Sequence, residues 1–176
     1  MYRRILDPLL TISFSSFSNA WYWVLTGLIW SATCHRTLGV PFDAMVAAHN
    51  SGGQPAKDVE DLALIYVRRN VGLFRKSGVW VTAFVCFVLA VLATFGFVYT
   101  YEMAQGLFAL MFPLTIVHAL SVRLAFRIER EKIRGAELRD VLSKRRFWNQ
   151  VIGLFSIFVA SILTVLSLSR SMVLFY

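Results

Sequence analysis

Three features of the 176-residue sequence predict an all-α polytopic membrane protein: a four-transmembrane-helix bundle with cytoplasmic helical extensions. Four long apolar stretches contain no Asp, Glu, Lys or Arg, most of the Lys and Arg residues crowd into two of the connections between them, and Trp and Tyr gather at the stretch ends. Composition agrees, with 57% hydrophobic and only 16% charged residues, where a soluble domain carries about 25% charged. A net charge of +8 would suit nucleic acid if the bases lined one soluble face. Here they alternate with long uncharged runs, so no nucleic-acid partner is expected.

A hydrocarbon core of about 30 Å takes about 20 helical residues, each rising about 1.5 Å. The chain therefore divides into an outer N-terminal tail (1–15), a first span (16–34), a long connection (35–78), a second and third span (79–99 and 103–122), a basic connection (123–146), a fourth span (147–169) and an outer C-terminal tail (170–176). Arg3 and Arg4 before an apolar run, with Ser18-Asn19-Ala20 following, have some of the character of a cleavable signal. Asp7 and Pro8 interrupt that run, and it continues unbroken from Trp21 to Cys34, so a retained first span is expected. The second and third spans are joined by a few residues around Tyr101 and Glu102, which makes them antiparallel neighbours.

Sidedness follows from the basic residues. The two tails and the connection between the second and third spans hold three Lys and Arg, against fifteen in 35–78 and 123–146. The positive-inside bias places those two connections in the cytoplasm and both termini in the periplasm of a bacterial inner (plasma) membrane. Aromatic belts fit: Trp21, Tyr22, Trp23, Tyr99 and Tyr101 fall at the outer ends, Trp80 and Trp148 at the inner ends.

In the long connection, Gly39 and Pro41 mark a turn, and Asp43 is placed to cap a short helix ending near Asn50. Ser51-Gly52-Gly53-Gln54-Pro55 reads as a linker. Asp58, Glu60 and Asp61 then mark a helix start and Arg68, Arg69, Arg75 and Lys76 its end, in the order the helix dipole favours. Leu64, Val67, Val71 and Phe74 recur at three or four residues, giving an apolar face expected to lie on the bilayer or a partner before the chain turns into the second span. From Arg123 the helical pattern continues through Arg127 and Arg130, breaks at Gly135 and resumes with Asp140 and Lys144 four apart, predicting a short hairpin. Arg68, Arg69, Arg75, Lys76, Arg123, Arg127 and Arg130 are the candidate lipid- or partner-binding residues.

No catalytic residue set is legible, and no cofactor or metal is expected. His118 is the one ionisable residue well inside a span, and His35 lies at a similar depth at the end of the first; two such imidazoles are weak candidates for a haem or quinone site. A lone histidine near a helix end more often bonds a neighbouring helix. Pro113 is expected to kink the third span. Gly27 and Ser31, and Ser156, Ala160 and Thr164, form small-residue stripes at four-residue spacing that allow close helix packing, within the bundle or onto another subunit. Cys34 and Cys86 lack the paired spacing of a metal or redox motif.

The run from Ser16 to Trp23, Trp30-Ser31, His35, Leu38-Gly39-Val40-Pro41-Phe42-Asp43, Gly96-Phe97-Val98-Tyr99 and Phe112-Pro113-Leu114 together resemble a family of small uncharacterised bacterial inner-membrane proteins. Some of its members carry the label "component of SufBCD complex", and the resemblance implies a link to iron–sulfur cluster assembly. It carries over no catalytic residues. The leading expectation is a non-enzymatic accessory, assembly or scaffolding subunit with membrane lipids and other membrane subunits as partners. A haem- or quinone-associated redox protein using His35 and His118, and a small transporter or channel, are the alternatives.

Overall fold

The computed structural model describes residues 20–173. The chain runs through α1 (Ala20–His35), a two-residue strand β1 (Arg36–Thr37), β2 (Val40–Pro41), α2 (Phe42–Ser51), α3 (Gly53–Ala93), a π-helical turn (Thr94–Val98), α4 (Glu102–Glu131) and α5 (Gly135–Val173). α3 with its π-turn, α4 and α5 are each long and apolar enough to cross a membrane. The described part of the first expected span lies in α1, which has 16 residues and runs on to His35; residues 16–19, and the whole segment bearing Arg3, Arg4, Asp7 and Pro8, lie outside the described residues.

Two cores of different chemistry hold the helices. The larger joins Val40 and Met45 to Val59, Ala63, Val67 and Val71 of α3, Ala125 and Ile128 of α4, and Leu138 and Leu142 of α5. The four α3 residues are spaced four apart, so they form one stripe down the helix, and α2 and α4 cover it. The expected resting of this face on a bilayer is therefore not what is found: the apolar stripe is spent inside the protein. Leu64 packs at the edge of that core, and Phe74 is half-buried.

Past Val71 the same helix changes character. Val79, Trp80 and Phe84 are 83%, 80% and 68% exposed, a surface that water would penalise at about 25 cal/mol per Å² of apolar area and hydrocarbon would not. No turn separates the two halves. Gly78 sits inside an unbroken 41-residue helix, because a glycine within a helix costs only about 1 kcal/mol against alanine. The second core, built on Trp30, Leu110 and Val117, lies among these apolar parts of α1, α4 and α5.

Local chemistry accounts for the joints. Leu38 and Gly39, with φ of 50° and 80°, turn β1 into β2 as a two-residue hairpin of the kind that needs positive φ at both central positions. Pro41, not Asp43, stands at the N-terminus of α2, and no side chain caps it; Asp43 lies in the first turn, 3.8 Å from His35. The expected linker shrinks to Gly52, with α3 starting at Gly53. Glu60 is thus two turns inside α3, and its Oε2 accepts the backbone N–H of Gly135 at 3.2 Å. An acid expected to serve its own helix dipole serves the free N-terminus of α5 instead. α4 ends where Lys132 enters the left-handed region at φ 52°, and the break falls at Lys132–Arg134, as Gly135 led one to expect.

At the opposite end, the π-turn brings Gly96 against α4. A Cβ on Gly96 would sit 3.0 Å from the Gln105 nitrogen, and the buried Gln105 amide donates to the Gly96 carbonyl at 2.7 Å. Tyr22 of α1 donates to the Gly106 carbonyl at 3.2 Å, tying α1 to the same level of α4.

Candidate functional site

One face of α5 organises the interior. Leu138, Leu142, Arg145, Asn149, Gly153, Ser156 and Ala160 are all buried, spaced three or four apart, so they form a continuous stripe. Its chemistry changes along the helix from leucine, through arginine and asparagine, to small residues. The leucines belong to the larger core. Gly153 receives Trp30 of α1: a Cβ there would lie 2.7 Å from the indole.

The polar middle of the stripe faces α4. Arg145 donates from Nη2 to the Val117 carbonyl at 2.6 Å and to the Ser121 hydroxyl at 3.3 Å, while Ser121 itself donates to the same carbonyl at 2.8 Å. Burial pushes the Arg145 guanidinium below its ordinary value, the direction desolvation imposes on a cation. Its Nε has no partner, and neither does Oδ1 of Asn149, one turn further on. Buried polar atoms without partners are rare, since each costs about 1–3 kcal/mol.

Asn149 opens onto a cleft of about 580 Å³ between α1, the β-hairpin, α3 and α4. Thr33, Arg36, Tyr66, Asn70, His118 and Ser121 supply its other polar lining. Leu114 and Val117, which pack in or against the second core, and Leu38 of the first supply apolar lining. The cleft thus sits where the two cores meet. A second cleft of about 570 Å³, on the other flank of α5, is lined by Phe42, Met45, His49 and Arg146, with the Arg146 guanidinium 3.2 Å from the Phe42 ring centre.

The expected site residues distribute unevenly around this centre. His118 lines the cleft, its ring 5.8 Å from that of Phe74. His35 is not among the lining residues and approaches Asp43 instead. Among the described residues no group of three His, Cys, Asp or Glu side chains is placed to hold a metal. Of the basic residues, Arg75 pairs with Glu129 at 2.8 Å, and Arg127 and Arg130 both reach Glu131, at 2.8 and 3.6 Å. Arg68, Arg69, Lys76 and Arg123 are exposed. Ser156 and Ala160 are buried in the bundle, Thr164 is half-buried, and Gly27 and Ser31 are exposed.

Arg36, Tyr66, Asn70, Arg145 and Asn149 were not singled out from sequence. For Arg145 and Asn149 a signal existed: both continue the Leu138–Leu142 spacing. For the others there was none, since a strand residue and two mid-helix residues meet only through the tertiary fold.

No family model matches the chain, and neither a curated protein nor a solved structure is found to be similar to it.

Proposed function

We propose that the protein is a non-enzymatic accessory or assembly subunit of a larger membrane protein complex. In this reading it has four spans, with α1 completing the first, both termini periplasmic, and 35–78 and 123–146 in the cytoplasm of a bacterial inner membrane, as the distribution of Lys and Arg favours.

The observation that carries the reading is the two-sidedness of α1. Thr26 and Trp30 are buried, whereas Val24, Gly27, Leu28 and Ser31 on the far side are exposed, and a Cβ on Gly27 would meet nothing within 4 Å. Small residues four apart flanked by aliphatic ones form a shallow groove suited to a second transmembrane helix. Several polar groups inside the bundle, by contrast, join its own helices: Tyr22 to Gly106, Arg145 to Val117 and Ser156 to Ala109.

Purification in mild detergent and mass spectrometry of what accompanies the protein tests this. A reproducible membrane partner, lost in Gly27→Leu with the fold retained, supports it; a monomeric particle without a partner overturns it. The family resemblance adds iron–sulfur assembly proteins as candidates to look for among the accompanying chains.

A further inference from the structure

Three side chains bring donors to the cleft at Asn149. Arg36 contributes a fixed cation, Asn70 an amide and Tyr66 a phenol; no Asp or Glu lines it. Arg36 has no carboxylate partner among the described residues, all of whose ion pairs involve other groups. Such a lining selects a ligand rich in acceptors and negatively charged, because an ionised acceptor makes stronger hydrogen bonds than a neutral one. Asn149 asks for the opposite. Oδ1 of Asn149, on a residue only 2% exposed, is an acceptor with no donor, and an anion alone leaves it unpaired. A ligand that satisfies both carries an anionic group and a hydroxyl.

Position narrows the source. The cleft runs from Arg36 and Asn70, beside the larger core, down to Leu114 and Val117, beside the apolar one. Its volume lies within the range of about 300–1,000 Å³ usual for small-molecule sites. A wholly water-soluble ligand would gain nothing from the apolar end; an amphiphile at the headgroup level uses both. We propose that this cleft binds the headgroup of a hydroxyl-bearing anionic phospholipid, phosphatidylglycerol being the simplest, with its phosphate toward Arg36 and Asn70, a headgroup hydroxyl toward Asn149, and the start of an acyl chain against Leu114 and Val117. The site is separate from the exposed bases Arg68, Arg69, Lys76 and Arg123 and independent of whether the protein has a partner subunit.

The test is native mass spectrometry of the full-length protein released from phosphatidylcholine nanodiscs doped in turn with phosphatidylglycerol, phosphatidic acid or phosphatidylethanolamine. Phosphatidylglycerol is expected to be retained best and phosphatidylethanolamine least. Arg36→Gln, at an exposed position, is expected to lower phosphatidylglycerol retention about fivefold, the effect of one basic contact near a lipid surface. Lys57→Gln, away from the cleft, should leave it unchanged. Asn149→Leu should erase the preference for phosphatidylglycerol over phosphatidic acid. Retention that ignores headgroup, or is the same in Arg36→Gln, overturns the proposal. So does glycerol 3-phosphate alone, added to the protein in phosphatidylcholine, thermally stabilising it as much as the lipid does, because the ligand would then be a soluble phosphate.

Discussion

The Ser156 hydroxyl of α5 donates to the backbone carbonyl of Ala109 on α4 at 3.3 Å, and that carbonyl lacks its usual partner because Pro113, four residues on, has no N–H. The proline and the serine are complementary: one removes a bond inside a helix and the other replaces it from the neighbouring helix. Ser156→Ala is therefore expected to destabilise the bundle by about 0.6–1.7 kcal/mol, the range for interhelical bonds in membranes. Combined with Pro113→Ala, which restores the internal bond, the loss from Ser156→Ala should shrink. Thermal unfolding in detergent, arranged as a double-mutant cycle, reads the coupling; additive effects would mean that the two residues do not share the carbonyl.

Gly153 offers a second, steric test. With the Trp30 ring 2.7 Å from where a Cβ would stand, Gly153→Ala should cost about 1–3 kcal/mol by overpacking and push α1 away from α5. Gly27→Ala, where the space is open, should change stability by less than about 0.5 kcal/mol. Trp30 fluorescence and the melting temperature in detergent distinguish the pair, provided the other tryptophans are replaced.

Arg145 separates charge from packing. Its stem lies in the buried stripe while Nε is unpaired, so Arg145→Met, which keeps the stem and removes the desolvated cation, should be tolerated far better than Arg145→Ala. We expect about 2–5 kcal/mol for alanine, as for other large-to-small changes in a core, and under about 1.5 kcal/mol for methionine. Equal losses would mean that the guanidinium bonds to Val117 and Ser121 dominate.

In the hairpin, the hydrogen bond from Arg127, helped by the nearby charges of Arg127 and Arg130, holds the Glu131 carboxyl below its ordinary value. Its pKa is thus lower folded than unfolded, so the contribution is present above the unfolded value of about 4.3 and is lost as pH falls through the folded one. Arg127→Gln should raise the Glu131 pKa toward that unfolded value. Carbon-detected titration of the labelled carboxylate checks it, and an unchanged midpoint would remove Arg127 as the cause.

Where a residue's role was set by its own helix, the sequence was readable. Val67 and Val71 announce an apolar face by spacing alone, though not what covers it, and Gly135 marks the α4–α5 break. Roles set between helices were not. Glu60 reads as an N-terminal acid of α3 until the N-terminus of α5 is seen to rest on it, and Arg145 reads as one more base of the 123–146 connection although it turns inward. His35 and His118 share a depth in the sequence, yet depth says nothing about rotation around the helix axis, and only His118 reaches the cleft. The turn expected before the second span is absent, because a helix can carry a change in composition without bending.

The proposed function requires lipid around the exposed halves of α3, α4 and α5, with the α4–α5 hairpin on the cytoplasmic side. Replacing Cys34 and Cys86 and introducing Glu137→Cys allows this to be read with a membrane-impermeant maleimide. No labelling at this position is expected in intact spheroplasts, and strong labelling once the membrane is opened. Equal labelling before and after opening would place the hairpin outside and contradict the orientation on which the rest is built.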